Sequence, residues 1–274
     1  MTNLSREDFL STKGWEVPGF RVDLWARKTS RWCVVIPVIN EGERIKRMLT
    51  KMHEIGVPSV TDIIIIDGGS TDGSLALDRL NDCGVAALLT KTSEGKLSAQ
   101  LRCAYAFALE KGYDGIVTID GNDKDDPADI AGFVSALENG LDFAQASRFI
   151  AQGVGKNTPF IREIAIRLIH APMLSLFSGF KWTDTTQGFR AYSRKFLLDE
   201  RVAPFRDVFM QYELLAYLSY RGPKLGFKCI ELPTTRIYPV GDVPTKISGL
   251  SGNVDLMLTL VKACFGFFNP KFKK

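Results

Sequence analysis

The chain has 274 residues, long enough for one large α/β domain or two small ones. Its 35 basic and 31 acidic residues nearly cancel, so charge gives no footing for a nucleic-acid partner. Five cysteines without a CxxC spacing and two distant histidines argue against a disulfide framework and a zinc centre, and the unpaired thiol count points to a reducing, cytoplasmic setting.

The polar, charged start, Met1 to Glu7, is unlike a secretory signal. Residues 1–30, with Trp15, Phe20 and Trp25 among charges, read as an N-terminal extension packed on the main domain or on a partner. Residues 33–38 read as a buried strand, and Ile45, Met48, Leu49, Met52 and Ile55 mark a helix after it. A second buried strand at 62–66 runs into Asp67-Gly68-Gly69-Ser70-Thr71-Asp72-Gly73. A helix near 74–82, a strand at 85–89 and a long helix at 97–111 follow. The run 115–119 is a third buried strand, ending in Asp120, Asp123 and Asp125, and 127–139 is a helix. Beyond it, strands are expected at 143–147, just after Arg190 and at 227–232, with helices at 207–221 and 253–268. Residues 160–180 are mainly apolar. No uncharged apolar run reaches the length of a membrane-spanning helix.

Continuous apolar strands alternating with helices predict a mostly parallel central sheet covered by helices on both faces. Ligands of such sheets bind beyond the carboxyl ends of the strands. Asn40-Glu41, Asp67 and the aspartates from Asp120 to Asp125 all fall there. Clustered carboxylates repel one another unless a cation lies between them, and oxygen-only ligands suit Mg²⁺ or Mn²⁺. Taken alone, the aspartates fit a solvated acidic turn equally well; three strand ends with compatible chemistry favour a site. Asp67-Gly-Gly-Ser-Thr-Asp-Gly lacks the Gly-Lys-Ser/Thr of a Walker loop and the spacing of a dinucleotide fingerprint. Its carboxylate suits a base or ribose, and Gly68 and Gly69 allow close backbone approach. No Gly-x-Ser-x-Gly elbow supports a serine triad.

The blocks Val34–Glu41, Ile66–Ser74 and Asp120–Pro127 resemble, in order and spacing, the inverting family 2 glycosyltransferases of GT-A fold. Ala146-Ser-Arg-Phe149, Thr183–Tyr192, Tyr212-Glu213 and Arg236 through Ser248 resemble the dolichyl-phosphate mannosyltransferase and polyprenyl-phosphate hexosyltransferase branch. The resemblance implies a GT-A domain over 31–250, leaving 251–274 as a C-terminal apolar helix and basic tail. It implies a UDP- or GDP-linked sugar donor, with Pro37, Asn40, Glu41, Asp67 and Gly68 around the nucleotide. Lys96, at the head of the long helix, and Gln187 join them as donor-binding candidates. Asp120 is expected at the ribose or metal, and Asp123 with Asp125 as ligands of Mg²⁺ or Mn²⁺. The family spacing is Asp-x-Asp; here Asp120 and Asp123 are three apart, and Asp123 with Asp125 restores it.

The implied reaction is glycosyl transfer with inversion, in which cations stabilise a departing diphosphate. Arg148, Arg236 and Lys246 are candidate phosphate clamps, with Arg162 a looser one. The acceptor is expected to be a polyprenyl phosphate, an anionic nucleophile that needs no base; alternatives are a saccharide hydroxyl in surface-polysaccharide synthesis, or a nucleotide-sugar-binding subunit without turnover. Asp184 is the candidate base for a hydroxyl, or else orients the acceptor and Arg190. Gln187 stands where the lipid-phosphate branch often has Ser. Apolar residues beside Arg162, Arg167 and Lys181, and Phe265, Phe267 and Phe268 beside Lys271, Lys273 and Lys274, suit peripheral contact with the inner face of a membrane. A second copy of the chain is a further candidate partner.

Overall fold

The computed structural model describes residues 13–239 and 249–271. Four parallel strands form its centre: β2 (Trp32–Val38), β3 (Asp62–Asp67), β4 (Val85–Lys91) and β5 (Gly115–Thr118). Every residue of β2, β3 and β5 is buried, as a strand covered on both faces requires. Ile63 and Ile65 pack on one face and Ile64 and Ile66 on the other. Each is fully inaccessible, and such burial stabilises by about 1.5–3 kcal/mol per side chain as an upper bound. Helices α1 (Glu43–Glu54) and α2 (Leu77–Asp82) follow β2 and β3, and α3 (Leu97–Glu110) follows β4. Twelve of the fourteen α3 residues are buried, so the rest of the protein encloses the helix on nearly every side.

After β5 come α4 (Ile130–Glu138), β6 (Phe143–Ser147) and the short β7 (Val154–Lys156). A continuous helical segment then runs through α5 (Phe160–Ala165), a π turn at Ile166–His170 and α6 (Ala171–Ser178). β8 (Arg190–Ser193), α7 (Glu213–Lys224), β9 (Cys229–Pro233), β10 (Thr235–Ile237) and α8 (Gly249–Cys264) complete the described chain. With β1 (Phe20–Trp25), the main sheet has the order β1-β4-β3-β2-β5-β8-β6-β9. β1 runs antiparallel to β4, and β8 antiparallel to β5 and β6. β7 and β10 pair separately in parallel. The expected mostly parallel sheet, covered on both faces, is present.

Four elements depart from the sequence reading. Residues 20–25 are an edge strand of the main sheet, and Trp25 packs edge-on against Phe107 with ring centroids 5.2 Å apart. β7 and β10 are too short to leave a periodic signal. The helix expected from 207 starts at Glu213, because the preceding backbone is committed elsewhere. The carbonyls of Met210 and Gln211 accept from Lys96 and Ser98 at the start of α3, at 2.7 and 2.8 Å, and Phe209 O accepts from buried Arg102 at 2.9 Å.

Candidate active site

At the carboxyl ends of the strands, the loops after β2 and β3 are joined by polar contacts. Ser70 Oγ accepts from Asn40 N at 3.0 Å, Asn40 Oδ1 from Thr71 N at 2.8 Å and Asp72 Oδ2 from Gly42 N at 2.8 Å. Asn40 adopts a left-handed backbone, φ 49°, which turns the chain straight out of the strand. Pro37, in β2, lies beside Ile66 of β3. Asp67, nearly buried, accepts from Ser70 N at 2.9 Å and from Ser70 Oγ at 2.6 Å. Behind it, Gln100 from α3 donates to Val38 O at 3.0 Å and Ile66 O at 3.1 Å. A Cβ at Gly68 would come within 2.9 Å of that amide, which is why glycine sits there. Glu41 is buried and ion-paired with Arg44 at 2.7 Å. Lys96 stands apart: it is exposed, lies 5.7 Å from the Tyr212 ring, and forms no ion pair with Asp67 or Asp120 among the described residues.

The three aspartates after β5 diverge. Asp120 lies against the backbone of Gly188, where a Cβ would come within 2.8 Å of its Cγ. Its Oδ2 is 3.5 Å from Arg236 NH2, and Asp125 forms a tighter ion pair with the same guanidinium. Asp123 has a left-handed backbone, φ 57°, and turns outward to Arg47 Nε at 3.0 Å. Asp120 and Asp125 therefore converge on one cation, and the expected pair Asp123 and Asp125 is shared between two. Asp125 Oδ1 is buried with no hydrogen-bond partner among the described residues. Burial, followed by the negative charge of Asp120, pushes the Asp125 carboxyl up to about 6 against the pull of Arg236. No group of three or more His, Cys, Asp or Glu able to hold a metal occurs among the described residues. Two carboxylates with one orphaned oxygen do fit a hard divalent cation that completes its shell with water and diphosphate.

A cluster of cations centres on Tyr238, which is 1% exposed. Its hydroxyl lies 3.4 Å from Arg148 NH1 and 3.2 Å from Arg162 NH1. Lys124 lies 5.0 Å and Arg236 5.5 Å from its ring. Burial opposes ionisation of the phenol, but Arg236, Arg162 and Arg148 outweigh it and lower Tyr238 to about 8. Burial, then Arg236, holds Lys124 below the usual lysine range. No carboxylate is within ion-pair distance of Arg162 among the described residues. The cluster thus carries an excess of positive charge.

Arg148 is anchored by Asp184, with Nε to Oδ2 2.7 Å. Asp184 is fully buried and also accepts from Gln187 Nε2 at 2.6 Å. Glu231 holds the same loop through Thr183 N at 2.8 Å and Asp184 N at 2.9 Å. Arg190 bonds to the carbonyls of Thr185, Gln187 and Leu215 and to Ser219; Asp184 binds Arg148 instead. Arg148, Arg162, Arg236, Asp120 and Asp125 are thus brought together, with Asp184 and Gln187 behind Arg148. Lys246 lies outside the described residues. Sequence reasoning gave no role to Lys124 or Tyr238; the available signal was a tyrosine two places after Arg236 in a block already singled out.

A mostly parallel sheet with acidic groups and a cation cluster at its strand ends is the architecture of a GT-A glycosyltransferase. Residues 33–199 match the model of glycosyl transferase family 2, and the chain belongs to that family. It is 28% identical to polyprenol monophosphomannose synthase of Mycolicibacterium smegmatis over 214 residues, 76% of this chain and 78% of that protein. It is 25% identical to undecaprenyl-phosphate mannosyltransferase of Micrococcus luteus over 209 residues, 75% of this chain and 83% of that protein. Among solved structures, glucosyl-3-phosphoglycerate synthase of Mycobacterium tuberculosis, with Mn²⁺, UDP and glucosyl-3-phosphoglycerate, superposes with a TM-score of 0.57 at 15% identity, covering 99% of this chain and 87% of that one.

Proposed function

We propose that the protein transfers a hexose, of which mannose is the first candidate, from a nucleotide-sugar to a polyprenyl phosphate. The observation that carries this reading is the cation cluster around Tyr238, with Arg148, Arg162, Arg236 and Lys124 gathered where a phosphate can be held. The acceptor phosphate oxygen attacks the anomeric carbon from the face opposite the nucleotide. The bond from that carbon to the diphosphate oxygen breaks, and its electron pair leaves with the nucleoside diphosphate. No proton has to move, because the nucleophile is already an anion. Asp184, buried and bonded to Arg148 and Gln187, positions Arg148 and suits a base role poorly. The mannosyltransferase names of the two relatives support the sugar and the acceptor.

Asp120 and Asp125 would hold Mg²⁺ or Mn²⁺, with Asp123 available at the rim. Such an ion supplies charge for the leaving diphosphate. Arg236, between the two carboxylates and Tyr238, links the donor and acceptor halves.

Contact with the cytoplasmic face of a membrane follows from the acceptor. Phe160, Ile161, Leu168, Leu176, Phe265 and Phe267 are each more than 60% exposed. Phe177 and Phe265 meet with centroids 4.9 Å apart, so the α6 end and the chain after α8 form one surface. Exposed Arg167 and Lys262 lie in the same two segments of the chain, a composition suited to an anionic bilayer interface. No helix among the described residues is long and apolar enough to cross a membrane. The test is incubation with GDP- or UDP-hexose, Mg²⁺ or Mn²⁺ and a short polyprenyl phosphate. Sugar in the organic phase supports the reading, and transfer only to a water-soluble saccharide overturns it.

A further inference from the structure

A cavity of about 410 Å³ opens at the carboxyl ends of β3 and β4, lined by Asp67, Ser70 and Thr90 and by Arg21 and Asp23 of the edge strand β1. Its size falls within the range of about 300–1,000 Å³ usual for small-molecule sites. Strand register brings these residues together: Arg21 is the cross-strand partner of Thr90, and Thr90 that of Asp67. Three adjacent strands thus present Arg21, Thr90 and Asp67 in one row, roughly 10 Å from end to end. Asp23 is the extra residue of a bulge between Val22 and Leu24, a device that re-aims side chains and ends regular pairing. It accepts from Thr90 Oγ1 at 2.5 Å and from Arg21 Nε. Among the described residues, the two terminal amino groups of Arg21 make no hydrogen bond. β1 lies outside residues 33–199, the part of the chain that matches the family.

From this geometry we infer that the β1 pair Arg21 and Asp23 reads the base of the donor nucleotide together with Asp67, and that the cavity selects guanine over uracil. This rests on the reading of the protein as a nucleotide-sugar transferase. The cavity offers two carboxylates and one forked guanidinium. Guanine matches that set: N1–H and the N2 amino group donate to carboxylates, while O6 and N7 accept from an arginine in the bidentate contact that is the commonest specific one for this base. Uracil has a single N–H donor on its recognition edge and makes one fewer contact to the two carboxylates. Order along the sheet is consistent, because β3, β2 and β5 are successive neighbours. Asp67 and the acidic loop of Asp120 are therefore roughly 10 Å apart, a span for ribose and diphosphate.

The experiment is calorimetric titration of GDP and of UDP, each with Mg²⁺, into the full chain and into Arg21→Gln and Asp23→Asn. Arg21 is 64% exposed, so its replacement leaves the fold intact, and Asp23→Asn keeps the shape of the bulge residue. The expected result is GDP bound about tenfold or more tighter than UDP, with each variant reducing that ratio about tenfold through loss of GDP affinity. Equal affinities, or a ratio unchanged in both variants, overturn the inference while leaving the transferase reading intact. Failure of wild type to bind either nucleotide overturns both.

Discussion

Arg148 and Asp184 form an ion pair, 2.7 Å between Nε and Oδ2, with the two side chains 1% and 0% exposed. A pair so enclosed is fixed in geometry, and breaking it leaves an uncompensated charge in the interior. Arg148 NH1 reaches Tyr238 from this anchor, so Asp184 determines where the cation cluster presents a donor.

Replacing Asp184 with Ala is expected to destabilise the protein by about 3–5 kcal/mol, measured by denaturant unfolding, because Arg148 is left buried without its counter-charge. Arg148→Met together with Asp184→Leu is expected to recover most of that loss while remaining inactive toward the lipid acceptor. A double variant no more stable than the single one would contradict the ion-pair account.

Tyr238 gives a pH signature. Its ordinary value is near 10 and its folded value is about 8, so the three arginines favour the phenolate. A depressed folded value adds stability that is complete above the unfolded value and is lost as pH falls through the folded one; for Tyr238 the window runs from about 10 down to about 8. Arg148, Arg162, Arg236 and Lys124 face the ring, and Asp184 stands behind Arg148. Above pH 8 the phenolate competes with an acceptor phosphate for the same cations. The acceptor KM is expected to rise there more steeply in wild type than in Tyr238→Phe, where only Lys124 still loses charge, while donor KM follows the same course in both.

Gly188→Ala should act on the donor end. The new methyl would lie within 2.8 Å of Asp120 Cγ, so that carboxylate must shift, and a misplacement of about 1 Å in an active site costs on the order of 10²-fold in rate. Gly132 in α4 is the control. Nothing lies within 4 Å of a Cβ there, so Gly132→Ala should leave the rate unchanged and add about 1 kcal/mol of stability. Steady-state rates and thermal melts of the two variants check both statements.

The exposed apolar face makes a separate prediction. Phe265→Ser with Phe267→Ser removes two aromatics that are 62% and 74% exposed. Sedimentation with anionic vesicles should fall severalfold, while nucleotide binding in solution stays unchanged. Equal sedimentation of variant and wild type would remove this face from the account.

The sheet core and the polar strand ends after β2, β3 and β5 were largely legible, and the reasons are physical. β2, β3 and β5 are covered on both faces, so their sequences are unbroken apolar runs that end sharply in polar residues. β1 was not legible because an edge strand with one exposed face and a bulge at Asp23 mixes Arg21 and Asp23 into its pattern. The divergence of Asp123 from Asp125 depends on a left-handed residue, which composition does not announce. Arg236 lies far along the chain from Arg148 and Arg162 and meets them where β9 pairs with β6 and β10 with β7. Tyr238 belongs to that meeting, and a lone tyrosine in a Pro- and Gly-rich segment carries no periodic signal of its own.

Arg148, Arg162 and Arg236 are proposed to hold the phosphate of a lipid acceptor. Arg162 is the member to change, because it has no carboxylate partner among the described residues and its loss strands no buried charge. The most direct measurement is the KM for a short polyprenyl phosphate in wild type and in Arg162→Ala, followed as labelled sugar entering the lipid. The account predicts an increase of about tenfold or more with donor affinity unchanged, as loss of a charge-assisted contact to phosphate implies. An unchanged KM, or labelled sugar appearing only in a water-soluble saccharide, would contradict it.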